Sequence, residues 1–330
     1  MKILITGGSG FIGTNAIEAL TRDGHTILNY SLHAPLKSDQ AQYWRGGDIL
    51  DTTLTTAVFQ EFQPDLVLHL AARAECDEKV TLEEGYQVNI AGTRNVLNAI
   101  RATPSIQRAI ITSSQFVCGP GPLPKSETDY FPATVYGQSK VLTEKLTREA
   151  DLPICWTIIR PTNIWGPWHM RYRREFWRVM ERGLYVHPGH QPVIRSYGYV
   201  KNVVSQMQRI FQAPRESVQG KTIYLGDRPI DLFAWTDGFS RALTGRKVRV
   251  VPRPLLRTLA LLGDIPTSLT GKPFLINSSR FRSMTTDYET PMEETFKLLG
   301  KSPYSLDEAI KETVEWLRTC RDFSRAAGGS

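Results

Sequence analysis

Tyr136 and Lys140 are the residues of this 330-residue chain whose types and spacing most directly imply chemistry. At i and i+4 on a helix they share one face, where they act as more than an ordinary surface pair if a substrate reaches them. A free phenol, with a pKa of about 10, is a poor base at neutral pH. An ammonium beside it favours the phenolate and brings Tyr136 toward the range in which it exchanges a proton with a hydroxyl or a carbonyl. Upstream, Thr112-Ser113-Ser114 closes an apolar run. The Ser114 hydroxyl there would either hold a substrate oxygen against Tyr136 or cap a strand-end turn. A third element opens the chain: Thr6-Gly7-Gly8-Ser9-Gly10-Phe11-Ile12-Gly13, with glycines at 7, 10 and 13. Glycine permits a tight turn and lets phosphate oxygens approach the amides at a helix N-terminus.

These groups need elements to hold them. Ile3-Leu4-Ile5 is a strand and Phe11 to Arg22 a helix; Thr26-Ile27-Leu28 is a second strand, and a short third leads into Gly47-Asp48. Leu54 to Phe62 is helical, and the continuous apolar run from Asp65 to Leu70 is a fully buried strand. Val88 to Ile100 is a helix, Arg108 to Thr112 a strand, Val135 to Glu149 a helix and Cys155 to Ile159 a strand. Strands alternating with helices predict a parallel sheet with right-handed crossovers. Past Pro161 the pattern breaks into Pro, Gly, Trp and Arg, as in loops that cover a site, with helices later near 199–211, 231–243, 254–262, 291–299 and 305–323. The fold class is therefore α/β: a Rossmann-type doubly wound sheet with a smaller, mostly helical C-terminal substrate lobe. The dinucleotide domain is expected over 1–162 plus about 198–228, and the lobe over about 163–197 and 229–330.

Composition narrows the classes. Hydrophobic residues at 41% and charged residues at 22% are ordinary for a globular protein. The net charge of +7 fits either a nucleic-acid surface or a polyanionic small molecule. No nucleic-acid motif accompanies it, so no nucleic-acid partner is expected. The densest basic cluster, Arg171, Arg173, Arg174, Arg178 and Arg182, reads as an amphipathic helix with a solvated arginine face. Cys76, Cys118, Cys155 and Cys320 have neither knuckle nor disulfide spacing, and the histidines form no HExxH-like pair. No metal is expected, and the thiols read as reduced in a cytoplasmic protein. No apolar run reaches a bilayer span, so no membrane partner is expected; the greasy stretch Leu255 to Leu262 reads as a lobe helix in preference to an interfacial one.

In this order, and over nearly the whole chain, the glycine turn, the Ser114 run and the Tyr136/Lys140 pair resemble the extended short-chain dehydrogenase/reductase family, in particular its nucleotide-sugar epimerases, dehydratases and reductases. Further segments carry the resemblance: Gly47-Asp48-Ile49, His69-Leu70-Ala71-Ala72, Asn89-Ile90-Ala91-Gly92-Thr93, Arg160-Pro161-Thr162-Asn163-Ile164-Trp165-Gly166-Pro167 and Ile194-Arg195-Ser196-Tyr197-Gly198-Tyr199-Val200. The resemblance implies Ser114, Tyr136 and Lys140 as catalytic residues. It implies a dinucleotide site of Gly7, Gly10, Phe11, Ile12, Gly13, Ser31, Asp48, Ile49, Leu70, Ala71, Ala72, Asn89, Thr112 and Pro161, joined by Tyr136 and Lys140. It implies a nucleotide-diphosphate sugar as substrate, with Asn163 and Arg195 on the diphosphate and Arg282 as a late candidate, and a homodimer built on the long helices of the first lobe.

The departures sharpen this reading. The second strand of the family usually ends in an acid that binds ribose hydroxyls; Ser31 stands there, which removes repulsion toward a 2′-phosphate and leans from NAD to NADP, with His33 and Lys37 nearby. Dehydratases of the family carry Asp-Glu after the active-site hydroxyl; Gln115 and Phe116 stand there, so elimination of water is not expected. Ser196 and Lys201-Asn202 replace acidic residues of the family pattern. The leading expectation is an NAD(P)-dependent epimerase working at a sugar carbon, C4 first. The alternatives are an NADPH-dependent reductase of a 4-keto sugar, an enzyme of the same trio acting on a steroid or phenolic carbonyl, and a non-catalytic NAD(P)-sensing protein of the same fold. The intact Tyr136 and Lys140 argue against the last.

Overall fold

The computed structural model describes residues 1–270 and 276–326. Seven strands form one parallel sheet: β1 (Lys2–Thr6), β2 (Thr26–Ser31), β3 (Trp44–Gly46), β4 (Leu66–His69), β5 (Arg108–Thr112), β6 (Cys155–Pro161) and β7 (Thr222–Leu225). Their order across the sheet is β7-β6-β5-β4-β1-β2-β3. Ile3, Leu4, Ile5, Val67, Leu68, Ile110 and Ile111 are all 0% exposed, the signature of strands covered on both faces. The covering helices include α1 (Phe11–Arg22), α2 (Thr52–Phe62), α3 (Thr93–Arg101), α4 (Val135–Glu149) and α5 (Val200–Gln212).

Chain direction reverses its progress between β1 and β4, the point at which open parallel sheets bind ligands beyond their carboxyl ends. Gly7 follows β1, Leu70 follows β4, and Thr112, Pro161 and Ser31 end β5, β6 and β2. These five expected cofactor residues therefore lie at one edge of the sheet because the topology puts them there.

Contacts divide the chain into two units. The first comprises Met1–Trp168, Gly198–Asp227 and Thr290–Pro303. Residues 290–303, expected in the lobe, belong with the sheet: Thr295 Oγ1 donates to the Tyr224 carbonyl of β7 at 2.7 Å. The second unit comprises His169–Tyr197, Arg228–Glu289 and the chain from Tyr304 onward. Its core is aromatic, with Trp177, Trp235 and Phe239 at most 2% exposed and mutually within 4.3 to 5.7 Å between ring centroids. Helices Leu232–Thr244, Arg253–Thr270, Ser278–Thr285 and Leu306–Ala326 build the rest.

Two local readings change. The helix expected from Val88 opens with a π turn, Val88–Gly92, before α3 begins. The arginine-rich stretch is helical from Met170 to Glu181 with a π turn, Arg173–Trp177, inside it, and it buries Trp177 in the aromatic core. No helix among the described residues is long and apolar enough to cross a membrane.

Candidate active site

The glycine turn is built for close approach. Gly7 lies at φ 71°, and a Cβ on it would sit 2.6 Å from the Ala71 amide nitrogen. A Cβ on Gly13 would sit 2.4 Å from Gly8 Cα. These contacts press the turn against the segment after β4 and leave Gly10 as N-cap of α1, with no side-chain cap and no acid in the first turn. A helix start with these properties accepts phosphate oxygens on its amides. Phe11 and Ile12 supply the first of those amides. Beside it, Thr6 Oγ1 meets His69 Nδ1 at 2.6 Å, and His69 Nε2 meets Thr93 Oγ1 at 3.2 Å. Burial, helped by the Lys140 charge, pushes the His69 imidazole down to about 3, so it is neutral. Leu70, Ala71 and Ala72 run half-buried along the same edge.

Ser31 is buried and its hydroxyl is engaged, donating to Asn29 Oδ1 at 2.6 Å and accepting from the Ser9 amide at 3.3 Å. Lys37, the nearby cation, is paired with Glu18 at 2.8 Å and with Asp39 at 3.7 Å. Asp48 accepts from the Leu50 amide at 2.9 Å, while Ile49 is a core residue, 4% exposed, whose carbonyl accepts from Asn95. Asn89 is fully buried and both its amide donors are used, on the Arg73 carbonyl at 3.0 Å and Ser139 Oγ at 2.9 Å. It ties the loop after β4 to α4 and so positions the helix that carries Tyr136.

Tyr136, Lys140 and Ser114 come together. Thr134 caps α4 by accepting from the Gly137 amide at 3.0 Å, which fixes the start of the helix. Tyr136 is 8% exposed, with Phe116 packed edge-on at 5.8 Å and Tyr86 tilted at 6.3 Å between centroids. Burial pushes its phenol above the ordinary range, and its hydrogen bond with Ser114 opposes that rise. Ser114 also accepts from the Phe116 amide at 3.2 Å, so the strand-end turn and the substrate-facing reading of this hydroxyl are compatible. Lys140 Nζ donates to the Thr112 carbonyl at 2.9 Å. Burial pushes its ammonium down to about 8, and Glu144 holds it up. The sequence reading had Lys140 drawing the phenol down; in this geometry Ser114 does so, and Tyr136 is a neutral O–H at neutral pH. Lys140 turns one of its three N–H donors to the Thr112 carbonyl of the strand end.

Glu144, not singled out in the sequence, anchors this wall. It is 0% exposed and accepts from Ser113 Oγ at 2.6 Å, Tyr130 at 2.9 Å, and Arg160 Nε and Nη2 at 2.8 and 2.9 Å. Its position four residues after Lys140 is the only signal the sequence carried.

Thr112 Oγ1 and Thr162 Oγ1 are buried without a partner among the described residues. With the glycine cradle and the uncapped α1, these atoms fit a bound dinucleotide. Pro161 closes β6 beside them, and Asn163 is half-buried on the short strand Asn163–Trp165 of the same unit.

In the second unit, Arg195 is 8% exposed. Its Nη1 donates to the carbonyls of Ser283 and Thr286 at 3.1 and 3.0 Å, its guanidinium lies 5.6 Å from the Tyr288 ring centroid, and its Nε has no partner. No carboxylate pairs with it among the described residues. The Tyr197 phenol, raised by burial, is drawn down by this guanidinium. Arg282 is exposed on helix Ser278–Thr285, and its neighbours at 283 and 286, not its own side chain, hold Arg195.

Residues 3–226 match the model of the NAD dependent epimerase/dehydratase family. A UDP-glucose 4-epimerase of Lactobacillus helveticus is 31% identical over 175 residues, spanning 50% of this chain and 52% of that one. The N-acetyl-alpha-D-glucosaminyl-diphospho-ditrans,octacis-undecaprenol 4-epimerase of Escherichia coli O157:H7 is 27% identical over 335 residues, 96% of this chain and 95% of that one. The structure of UDP-glucose 4-epimerase from Thermotoga maritima with UDP-glucose superposes with a TM-score of 0.74 at 22% identity, covering 97% of this chain and 100% of that one. The chain is thus an enzyme of the extended short-chain dehydrogenase/reductase type and belongs to the NAD dependent epimerase/dehydratase family.

Proposed function

We propose that this enzyme is a nucleotide-sugar epimerase that inverts a sugar carbon, C4, with Ser114, Tyr136 and Lys140 as its catalytic residues. The observation that carries the reading is the buried Tyr136 hydroxyl, hydrogen-bonded to Ser114 at the carboxyl edge of the sheet, with Lys140 one helical turn away.

The bound dinucleotide supplies the reversible two-electron redox step. The rest falls to the chain. Ser114 and Tyr136 hold the sugar oxygen between two hydroxyls. Once Lys140 turns its charge toward it, the phenol ionises; the phenolate would take the proton of the sugar hydroxyl and return it to the oxygen of the keto sugar. Closure of Tyr86 and Phe116 around the ring excludes water, which strengthens each of these hydrogen bonds. The amides of Phe11 and Ile12 would hold the dinucleotide phosphates, and Thr112 Oγ1, buried without a partner, would be free to hydrogen-bond it. Arg195 supplies a guanidinium with an open donor for a diphosphate, and Asn163 an amide. Arg282 is an exposed auxiliary cation. A homodimer through α3 and α4 is part of the same reading, and light scattering tests it.

A second reading, reduction of a 4-keto sugar by NADPH, is favoured by one observation: no acid ends β2, where Ser31 stands. Against it, Lys37 is already paired with two carboxylates, leaving a 2′-phosphate no ready cation there.

The test is to incubate the purified enzyme with a panel of UDP-sugars and follow both the product, by NMR, and the absorbance of reduced dinucleotide. Interconversion of C4 epimers without net change in absorbance is expected. Stoichiometric consumption of NADPH by a keto sugar would replace the epimerase with the reductase, and inertness toward every glycosyl diphosphate would remove both.

A further inference from the structure

Helix Arg253–Thr270 of the second unit turns more apolar surface outward than inward. Over residues 253–266 its buried positions are Leu256, Ala260 and Gly263, a narrow stripe. Leu255, Leu259, Leu261, Leu262 and Ile265 are 54%, 42%, 57%, 58% and 58% exposed. At about 100° per residue these five side chains fall on one continuous arc facing away from the buried stripe. Thr258 is the one polar residue within that arc, and Arg257 sits at its margin. A helix of a globular domain ordinarily shows the reverse pattern. Single exposed leucines need no explanation, but five on one helical face mark an interaction surface.

Charge selects the occupant. The chain entering and running along this helix carries Arg246, Lys247, Arg249, Arg253 and Arg257. Arg253 is held by the Pro188 and Gln191 carbonyls, whereas Arg246, Lys247, Arg249 and Arg257 are exposed. The acid of the stretch, Asp264, is engaged by the amide and hydroxyl of Ser278. Two copies of the chain packed through this face would set the same cations against each other with no free acid to offset them. An anionic bilayer surface satisfies both halves of the pattern, apolar side chains entering the headgroup boundary and cations meeting lipid phosphates.

We propose that the outward face of this helix docks the enzyme on an anionic membrane surface. This departs from the expectation of no membrane partner, in which Leu255 to Leu262 reads as a lobe helix in preference to an interfacial one; a helix lying in the interface needs no spanning segment. The proposal is independent of the reaction assigned above.

The test uses the full chain with sucrose-loaded vesicles of phosphatidylcholine, with and without phosphatidylglycerol. The protein is expected to sediment with the anionic vesicles, to bind neutral ones less, and to be released by salt. Leu259→Gln with Leu262→Gln should lower partitioning by about tenfold per leucine. Arg257→Gln should lower it about fivefold on anionic vesicles and leave neutral ones unchanged. Both variants should melt as the wild type does. Wild-type protein left in the supernatant at every composition overturns the proposal. So does a leucine double variant that sediments like the wild type, or one that converts a vesicle-indifferent dimer into a monomer and so reveals a self-interface.

Discussion

Two buried guanidiniums, one in each unit, have opposite surroundings. Arg160 in the sheet unit is 0% exposed, grips Glu144 through Nε and Nη2, and donates further to the Tyr224 hydroxyl at 2.9 Å. Arg195 in the second unit is 8% exposed and is held by backbone carbonyls, the Tyr197 hydroxyl and an aromatic face, with Nε open. Burying a charge is costly unless it is paired. Arg160 is therefore a structural charge whose counterion is built in. Arg195 has no carboxylate partner among the described residues, and in the proposed reading a phosphate would supply the counterion. The contrast separates a guanidinium that holds its own unit together from one with a donor left open.

The contrast is sharpest at Glu144. Glu144→Gln leaves the Arg160 guanidinium buried without its carboxylate and should cost about 3–5 kcal/mol, seen as a large drop in the denaturation midpoint. Replacing both partners, Glu144→Leu with Arg160→Met, should recover much of that loss; equal damage from single and double changes would deny the pairing its role. Arg195→Met should do the opposite, raising KM for a glycosyl diphosphate ten- to a hundredfold, as the loss of roughly 1.5–3 kcal/mol of charged hydrogen bonding implies, while the melting point holds. If Arg195→Met unfolds the protein as Glu144→Gln does, the two arginines are not different in kind.

A third test concerns pH. Burial holds the Lys140 ammonium down to about 8, below its ordinary 10.5. Turnover that depends on this charge should fall as pH rises through about 8. The stability effect has the other sign. Between about 8 and 10.5 the unfolded chain holds the proton that the folded one has shed, so this group's contribution favours the native state increasingly as pH rises through that window. Lys140→Arg, which keeps its charge, should remove the basic limb of the rate profile; an unchanged limb assigns it elsewhere. The smallest effect is expected at Ser31. Ser31→Asp restores a carboxylate at the end of β2 and should shift preference from NADP toward NAD by roughly tenfold, measured as a ratio of dissociation constants. No shift would mean that the strand end does not face the ribose.

What the sequence revealed was whatever is encoded over short spans. The glycines of 7 to 13, the Tyr136/Lys140 spacing and the alternation of buried runs each depend on neighbours within a turn or a strand, and each gave the right element and the right edge of the sheet. What it hid depends on partners brought together by folding. Glu144 meets Ser113 and Arg160 from different elements, and nothing local distinguishes it from a solvated helix carboxylate. Asn89, expected at the cofactor, also donates to the Arg73 carbonyl and to Ser139 Oγ, partners that no local pattern names. The greasy run from Leu255 to Leu262 announces a lobe helix without saying which side would be inside.

The most direct test of the account is Tyr136→Phe, which removes one hydroxyl from a packed ring. The variant should fold, melt like the wild type and keep its dinucleotide, while kcat falls by about 10²–10⁴, the range for loss of a positioned proton-transfer group. Wild-type turnover in a folded, dinucleotide-bearing variant would contradict it.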